Sequence, residues 1–222
     1  MNQPVRINLF GDLQVKQGER VITRFKSQKI GALLAYFAFH LHSMHSREVI
    51  IDLFWPESTL EAGRNSLSVA LSTLRHQLEP PGTPANAVLR ADRFSIGLNP
   101  TAVTTDVAQF EALIKSSPQV SNPTEQIQRL MDALDLYQGR LLPGFYEAWI
   151  QPEQARLAGV FFDAAINRWF VLQRAQDYDV GGTALNSSHL YMAVSQTGDP
   201  TGVFNIYMME TSIKRDVKCL LL

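Results

Sequence analysis

The side chains of this chain that are typed and spaced for chemistry lie along one stretch, Glu61-Ala-Gly-Arg-Asn-Ser-Leu-Ser-Val-Ala-Leu-Ser-Thr-Leu-Arg-His-Gln-Leu78. Leu67, Leu71, Leu74 and Leu78 recur at helical spacing and form a narrow apolar stripe. Turning about 100° per residue away from that stripe brings Asn65, Val69, Ser72, Thr73 and His76 to the far side. Arg64 and Arg75 flank them. A solvated helix face is ordinarily filled with Glu and Lys, which form helices well. This one carries hydroxyls, an amide, an imidazole and a methyl-bearing side chain, and no carboxylate. Short side chains of that kind let a helix lie close against another surface, and their donors and acceptors match the edges of bases in a DNA groove. A second protein domain packed on the same face is the competing reading.

Other chemistry is poorly provided for. There is no Gly-x-x-x-x-Gly-Lys stretch, no Gly-x-Ser-x-Gly elbow and no His-Glu-x-x-His helix. His40, His42 and His45 cluster, but without Cys, Asp or Glu at ligand spacing they read as a helix end and the loop after it. Cys219 is the only cysteine, so an internal disulfide and a cysteine-built metal site are excluded. Trp149, Phe161, Phe162 and Trp169 could line a groove between helices, although core packing uses such rings more often. An enzyme is therefore not expected, and neither a cofactor nor a metal is called for.

The elements that would position the helix come on both sides of it. Val5-Arg-Ile-Asn-Leu-Phe alternates with period 2, Gly11-Asp12 turns the chain, and Leu13 to Lys16 and Arg20 to Thr23 continue a small antiparallel meander. Gln28 to Leu41 has helical spacing. Ser46 can cap a second helix over Arg47 to Phe54, which Pro56 stops. Ser58, three residues before Glu61, has capping-box spacing for a third helix starting near Thr59. After Pro80-Pro-Gly-Thr-Pro84, Val88-Leu-Arg and Phe94 to Leu98 read as a hairpin around Ala91-Asp-Arg93. A meander, three helices and a hairpin make a winged helix, whose third helix enters the major groove and whose wing places Arg90 and Arg93 near phosphate or the minor groove.

Past Asp106 helical spacing takes over, in Asp106 to Ile114, Glu125 to Tyr137 and a long run from Trp149 to Tyr178, with no convincing strand between 106 and 180. Gly181-Gly182 and Asn186-Ser-Ser188 then interrupt the pattern. The balance of charge shifts at the same place. Residues 1–105 carry 11 Lys and Arg against 8 Asp and Glu, while residues 106–222 carry 9 against 13. A mildly basic first half and an acidic second half fit a nucleic-acid reader joined to something else. Nothing reads as a secretory signal, and the apolar run from Ile30 to Phe39 is short of the ~20 residues that span a bilayer. The cytoplasm is the expected compartment, with no membrane partner.

Two blocks in order, Leu53-Phe-Trp-Pro-Glu57 followed by Arg64 to Leu78, and Thr105-Asp-Val-Ala-Gln-Phe-Glu-Ala-Leu113 followed by Leu134 to Phe145 and Trp149, resemble the Streptomyces antibiotic regulatory proteins. That family joins an OmpR-type winged helix to a bacterial transcriptional activator domain, a tetratricopeptide-like helical array. The resemblance covers roughly residues 5 to 178. It implies an α+β winged helix over 1–104 followed by an all-α domain over 105–222, mostly α overall, with a degenerate or truncated tail after 178. It further implies an activator that binds promoter repeats in double-stranded DNA, self-associates on them and helps to recruit RNA polymerase holoenzyme. The alternative is a helical-repeat interaction module whose winged helix no longer binds DNA.

Overall fold

Period-2 alternation builds the first sheet. In the computed structural model, which describes residues 4–116, 119, 123–157, 160–163, 168–178, 184–197, 204–210 and 219–221, β1 (Val5–Asn8), β2 (Gln14–Gln17) and β3 (Arg20–Ile22) form an antiparallel meander. Val5, Ile7, Val15 and Ile22 are buried, and the residues between them face outward. A fourth strand, β7 (Val103–Thr105), pairs parallel to β1 and closes the order β3-β2-β1-β7.

Three helices follow the meander: α1 (Gln28–Phe39), α2 (Arg47–Phe54) and α3 (Leu60–Leu78). Ser27 caps α1 by accepting from the Ile30 amide, and Ser46 caps α2 by accepting from the Glu48 amide. Lys29 Nζ donates to the last carbonyl of α2, at Phe54, over 2.7 Å and lies over the Trp55 ring, which ties the first helix to the end of the second. The cap of α3 is Thr59 rather than Ser58: its Oγ1 accepts from the Ala62 amide. Ser58 lies outside the cap and its own amide donates to the Trp55 carbonyl. All four leucines of the stripe are buried, together with Ala70 and Gly63. A Cβ at Gly63 would fall on Cγ2 of the buried Ile51, so glycine here permits α2 and α3 to approach.

The wing is a three-stranded sheet, in which β6 (Ser95–Leu98) pairs with β5 (Leu89–Ala91) on one side and with the two-residue β4 (His45–Ser46) on the other. Gly97 fits where a Cβ would come 2.7 Å from the Ser43 carbonyl oxygen. After β7 come α4 (Asp106–Ser116) and α5 (Pro123–Leu136). Thr105 Oγ1 accepts from the Ala108 amide at the start of α4. The Asp106 carboxylate is 3% exposed and accepts from the amides of Leu9, Phe10 and Val107. Burial pushes its carboxyl above the usual range against the pull of those three amides. Phe10 packs edge-on to Phe110 at 5.3 Å and against Tyr137 at 4.8 Å, which holds α4 and the residue after α5 to the segment following β1 that Asp106 anchors.

The second half departs from the all-α expectation. Among the described residues of the run from Trp149 to Tyr178, only those of α6 (Ile150–Leu157) are helical, and β8 (Val160–Asp163) and β9 (Arg168–Tyr178) follow as strands. With β10 (Ala184–Ser195), β11 (Phe204–Glu210) and β12 (Cys219–Leu221) they form an antiparallel meander in the order β12-β11-β10-β9-β8. The described chain is α+β in both halves rather than mostly α. The physical reason lies in the residue types: Val160-Phe-Phe162 and Trp169-Phe-Val171 are strand formers, and an apolar run that dense satisfies helical spacing as easily as alternation. Asn186-Ser-Ser188 falls where the β9–β10 register shifts, between Ala184 and Ser188, while Gly181-Gly182 lies outside the described residues. The chain divides into two compact units, residues 1–138 with 142–147, and residues 139–141 with 148–222. Among the described residues no helix is long and apolar enough to cross a membrane.

Candidate nucleic-acid interface

At 1.5 Å rise per residue, α3 is about 28 Å long, and one side of it is free. Burying the leucine stripe leaves Arg64, Asn65, Ser68, Val69, Ser72 and His76 exposed, with Thr73 half-buried. Val69 is 63% exposed, a branched apolar side chain that no neighbour covers. Thr73 Oγ1 donates to the Val69 carbonyl and Ser68 Oγ to the Arg64 carbonyl. With those protons spent inside the helix, both hydroxyls present only acceptor lone pairs outward, suited to amino groups such as adenine N6 or cytosine N4.

Arg75 stands apart. Its Nε lies 3.3 Å from Glu79 Oε2, and the Glu79 side chain is only 5% exposed. Glu79 Oε1 accepts from the amides of Val88 and Leu89, so this i,i+4 pair joins the end of α3 to the first strand of the wing. The structure thus gives Arg75 a place in the hairpin's support, away from the exposed row. Arg90, opposite Gly97 in the β5–β6 pairing, is exposed.

The wing tip is built by Asp92. Its Oδ1 accepts from the amides of Phe94 and Ser95, and its Oδ2 accepts from the Ser95 hydroxyl, an Asx turn that does by side chain what a glycine would do by backbone freedom. Those donors, the Phe94 amide first, and the charge of Arg47 hold its carboxyl below the usual range. Arg47 NH1 donates to the Asp92 carbonyl at 3.0 Å and the Arg47 amide to the Phe94 carbonyl, so the turn is fastened to the first residue of α2. Arg93 lies over the Phe94 ring at 5.4 Å, and Phe94 is 74% exposed.

Helix and wing meet at an open cleft of about 780 Å³ lined by Ser46, Arg47, Glu48, Arg64, Ser68, Arg93, Phe94 and Ser95. Of the residues singled out from the sequence, the cleft brings together Arg64 and Arg93; Asn65, Val69, Ser72, Thr73 and His76 continue along α3. Sequence reasoning passed over Ser68, although it stands four residues from both Arg64 and Ser72 on the same face. It also passed over Arg47 and Glu48, which the packing of α2 on α3 brings beside the helix, and Phe94, which the pairing of β4 with β6 brings to the cleft. Of the histidine cluster, His40 and His45 are half-buried against one another and His42 is exposed. His40 caps α1, and its ring lies 5.4 Å from that of His45, which also lies tilted against the Tyr36 ring at 4.9 Å. Burial first, and then the charge of His40, pull the His45 imidazole below its ordinary range. Among the described residues, no three His, Cys, Asp or Glu side chains are grouped to hold a metal ion.

The chain resembles Mycobacterium tuberculosis EmbR in fold. The likeness is to that protein in complex with a low-affinity phosphopeptide, with a TM-score of 0.57 and 20% identity over 70% of this chain. The chain spans 42% of the solved chain it matches. At that identity the likeness concerns the fold, and it agrees with the winged-helix-like α+β arrangement described above. No family model and no curated protein matches the chain.

Proposed function

We propose that this chain is a sequence-specific DNA-binding transcriptional regulator. Its helix α3 lies in the major groove, with Asn65, Val69, Ser72, Thr73 and His76 toward the base edges, and Arg64, Arg90 and Arg93 hold the flanking phosphates. The observation that carries this reading is the exposed face of α3, lined from Asn65 to His76 by short side chains without a carboxylate, with Glu61 only in its first turn, and running beside the arginines of the wing cleft. The resemblance of the sequence motifs extends the reading to a cytoplasmic activator. Residues 1–104 would bind promoter repeats, copies would associate side by side on them, and the remainder would engage RNA polymerase holoenzyme.

Mobility shift of the full chain tests this, first on random-sequence duplexes and then on duplexes selected from the retarded fraction. Retardation is expected that weakens with salt, because each phosphate neutralised releases counterions. A folded chain that retards no duplex at low salt rejects DNA binding, and the helical face is then a surface for another protein.

A further inference from the structure

A single carboxylate stands among the cations of the wing cleft. Glu48 lines it together with Arg47, Arg64 and Arg93. Arg47 is occupied by the Asp92 carbonyl, and Arg93 lies over the Phe94 ring. Arg64 is paired differently: its NH2 is 3.6 Å from Glu48 Oε1, with the two side chains 59% and 69% exposed. That contact is too long for a strong charge-assisted hydrogen bond, and it sits in water that screens it. It is a contact that another anion can replace.

We propose that Glu48 is an internal counter-charge for Arg64, holding the place of a DNA phosphate and lowering the affinity of the helix–wing surface for any duplex until a phosphate displaces it. The inference rests on the DNA-binding reading above. A phosphate approaching Arg64 must exchange with the carboxylate and then remain beside it in the cleft, so part of the attraction to the cation is offset. An arginine already paired also contributes less to the salt-dependent term than a free one. The position of Glu48 in the first turn of α2 suits it to this task, because the amides at the helix start favour a negative charge there whether or not Arg64 is engaged.

The test compares the full-length wild type with Glu48→Gln, Arg64→Ala and the double variant, on a random-sequence duplex across a salt series. Glu48→Gln is expected to tighten binding at low salt by about two- to fivefold, the range of an exposed ion pair, and to steepen the salt slope by up to about one. In the Arg64→Ala background the same substitution gains clearly less, only what removing a negative charge beside the phosphate contributes by itself, since there is no cation left to release. Glu48→Ala gives the same gain as Glu48→Gln, which guards against an effect of the amide itself. The inference is overturned if Glu48→Gln binds as the wild type does, or if its gain survives intact without Arg64. A wild-type chain that binds no duplex overturns the DNA-binding reading, and the inference with it.

Discussion

Replacing Gly63 by alanine sets two effects of opposite sign against each other. Within a helix, alanine is favoured over glycine by about 1 kcal/mol. Against this, the new Cβ would collide with Cγ2 of Ile51, the short branch of a side chain 2% exposed in the α2–α3 contact. Overpacking a closed contact costs about 1–3 kcal/mol, and a β-branched side chain has little freedom to turn away. The upper part of that range applies, and a net loss of about 1–2 kcal/mol follows. The chain holds two compact units, so global unfolding would blur the effect. Amide exchange of the slowest α3 positions, Leu67 to Leu74, reads it locally. Ile51→Ala supplies the control: it removes Cγ2, so Gly63→Ala introduced into that variant should turn from harmful to favourable, by up to about 1 kcal/mol. If Gly63→Ala alone slows exchange, the reasoning is refuted, because the contact would not be closed.

Three further outcomes are expected. Asn65→Ala should cost about 1–3 kcal/mol on a selected duplex and little on random DNA, whereas Arg93→Ala should weaken both and reduce the salt slope by about one; equal losses for Asn65→Ala on both duplexes would remove that residue from the base-reading row. Glu79→Ala, which strips the amides of Val88 and Leu89 of their acceptor, should destabilise the wing by about 1–3 kcal/mol, while Arg75→Ala leaves random-DNA affinity near the wild-type value; a clear loss of affinity there would return Arg75 to the phosphate contacts. The Asp92 carboxyl is lowered in the folded wing, so its contribution is present above the ordinary carboxylate range and is lost as pH falls through its folded value; in an NMR titration the Phe94 and Ser95 amides should move with it below that range, and movement at or above it would dismiss the Asx turn.

Helix α3 was legible because four leucines at helical spacing leave little choice of buried face, and its free face follows by subtraction. The capping residue differed by one position, since Ser58 and Thr59 both carry the hydroxyl that a cap requires. The strands β4 and β7 were not legible. Each is two or three residues long, without alternation of its own, and exists because a distant partner offers its edge: Ile96 to His45, and Ile7 to Thr105. That is also why the cleft was only half seen. Arg64 and Arg93 could be picked from the pattern, but the packing of α2 on α3 together with the pairing of β4 with β6 is what puts Arg47 and Glu48 between them. The stretch 160–178 misled in the opposite way. Val160, Phe161, Trp169 and Leu172 satisfy helical spacing, yet aromatic and β-branched residues at that density prefer a pleated backbone.

The carboxylate of Asp106 reaches back 97 residues to the amide of Leu9. On a ribosome, β1, β2 and β3 would emerge as an open meander whose inner edge awaits a strand not yet synthesised. Closing so large a loop is entropically slow, and the unpaired edge of β1 is exposed to other chains meanwhile. The three helices can form by local contacts during that interval, so within residues 1–106 the sheet is the last part to complete. Residue 104 is consequently a poor place to cut: a fragment ending there keeps all of α3 and the wing but loses Thr105 and Asp106, and with them the final clasp on its own first strand.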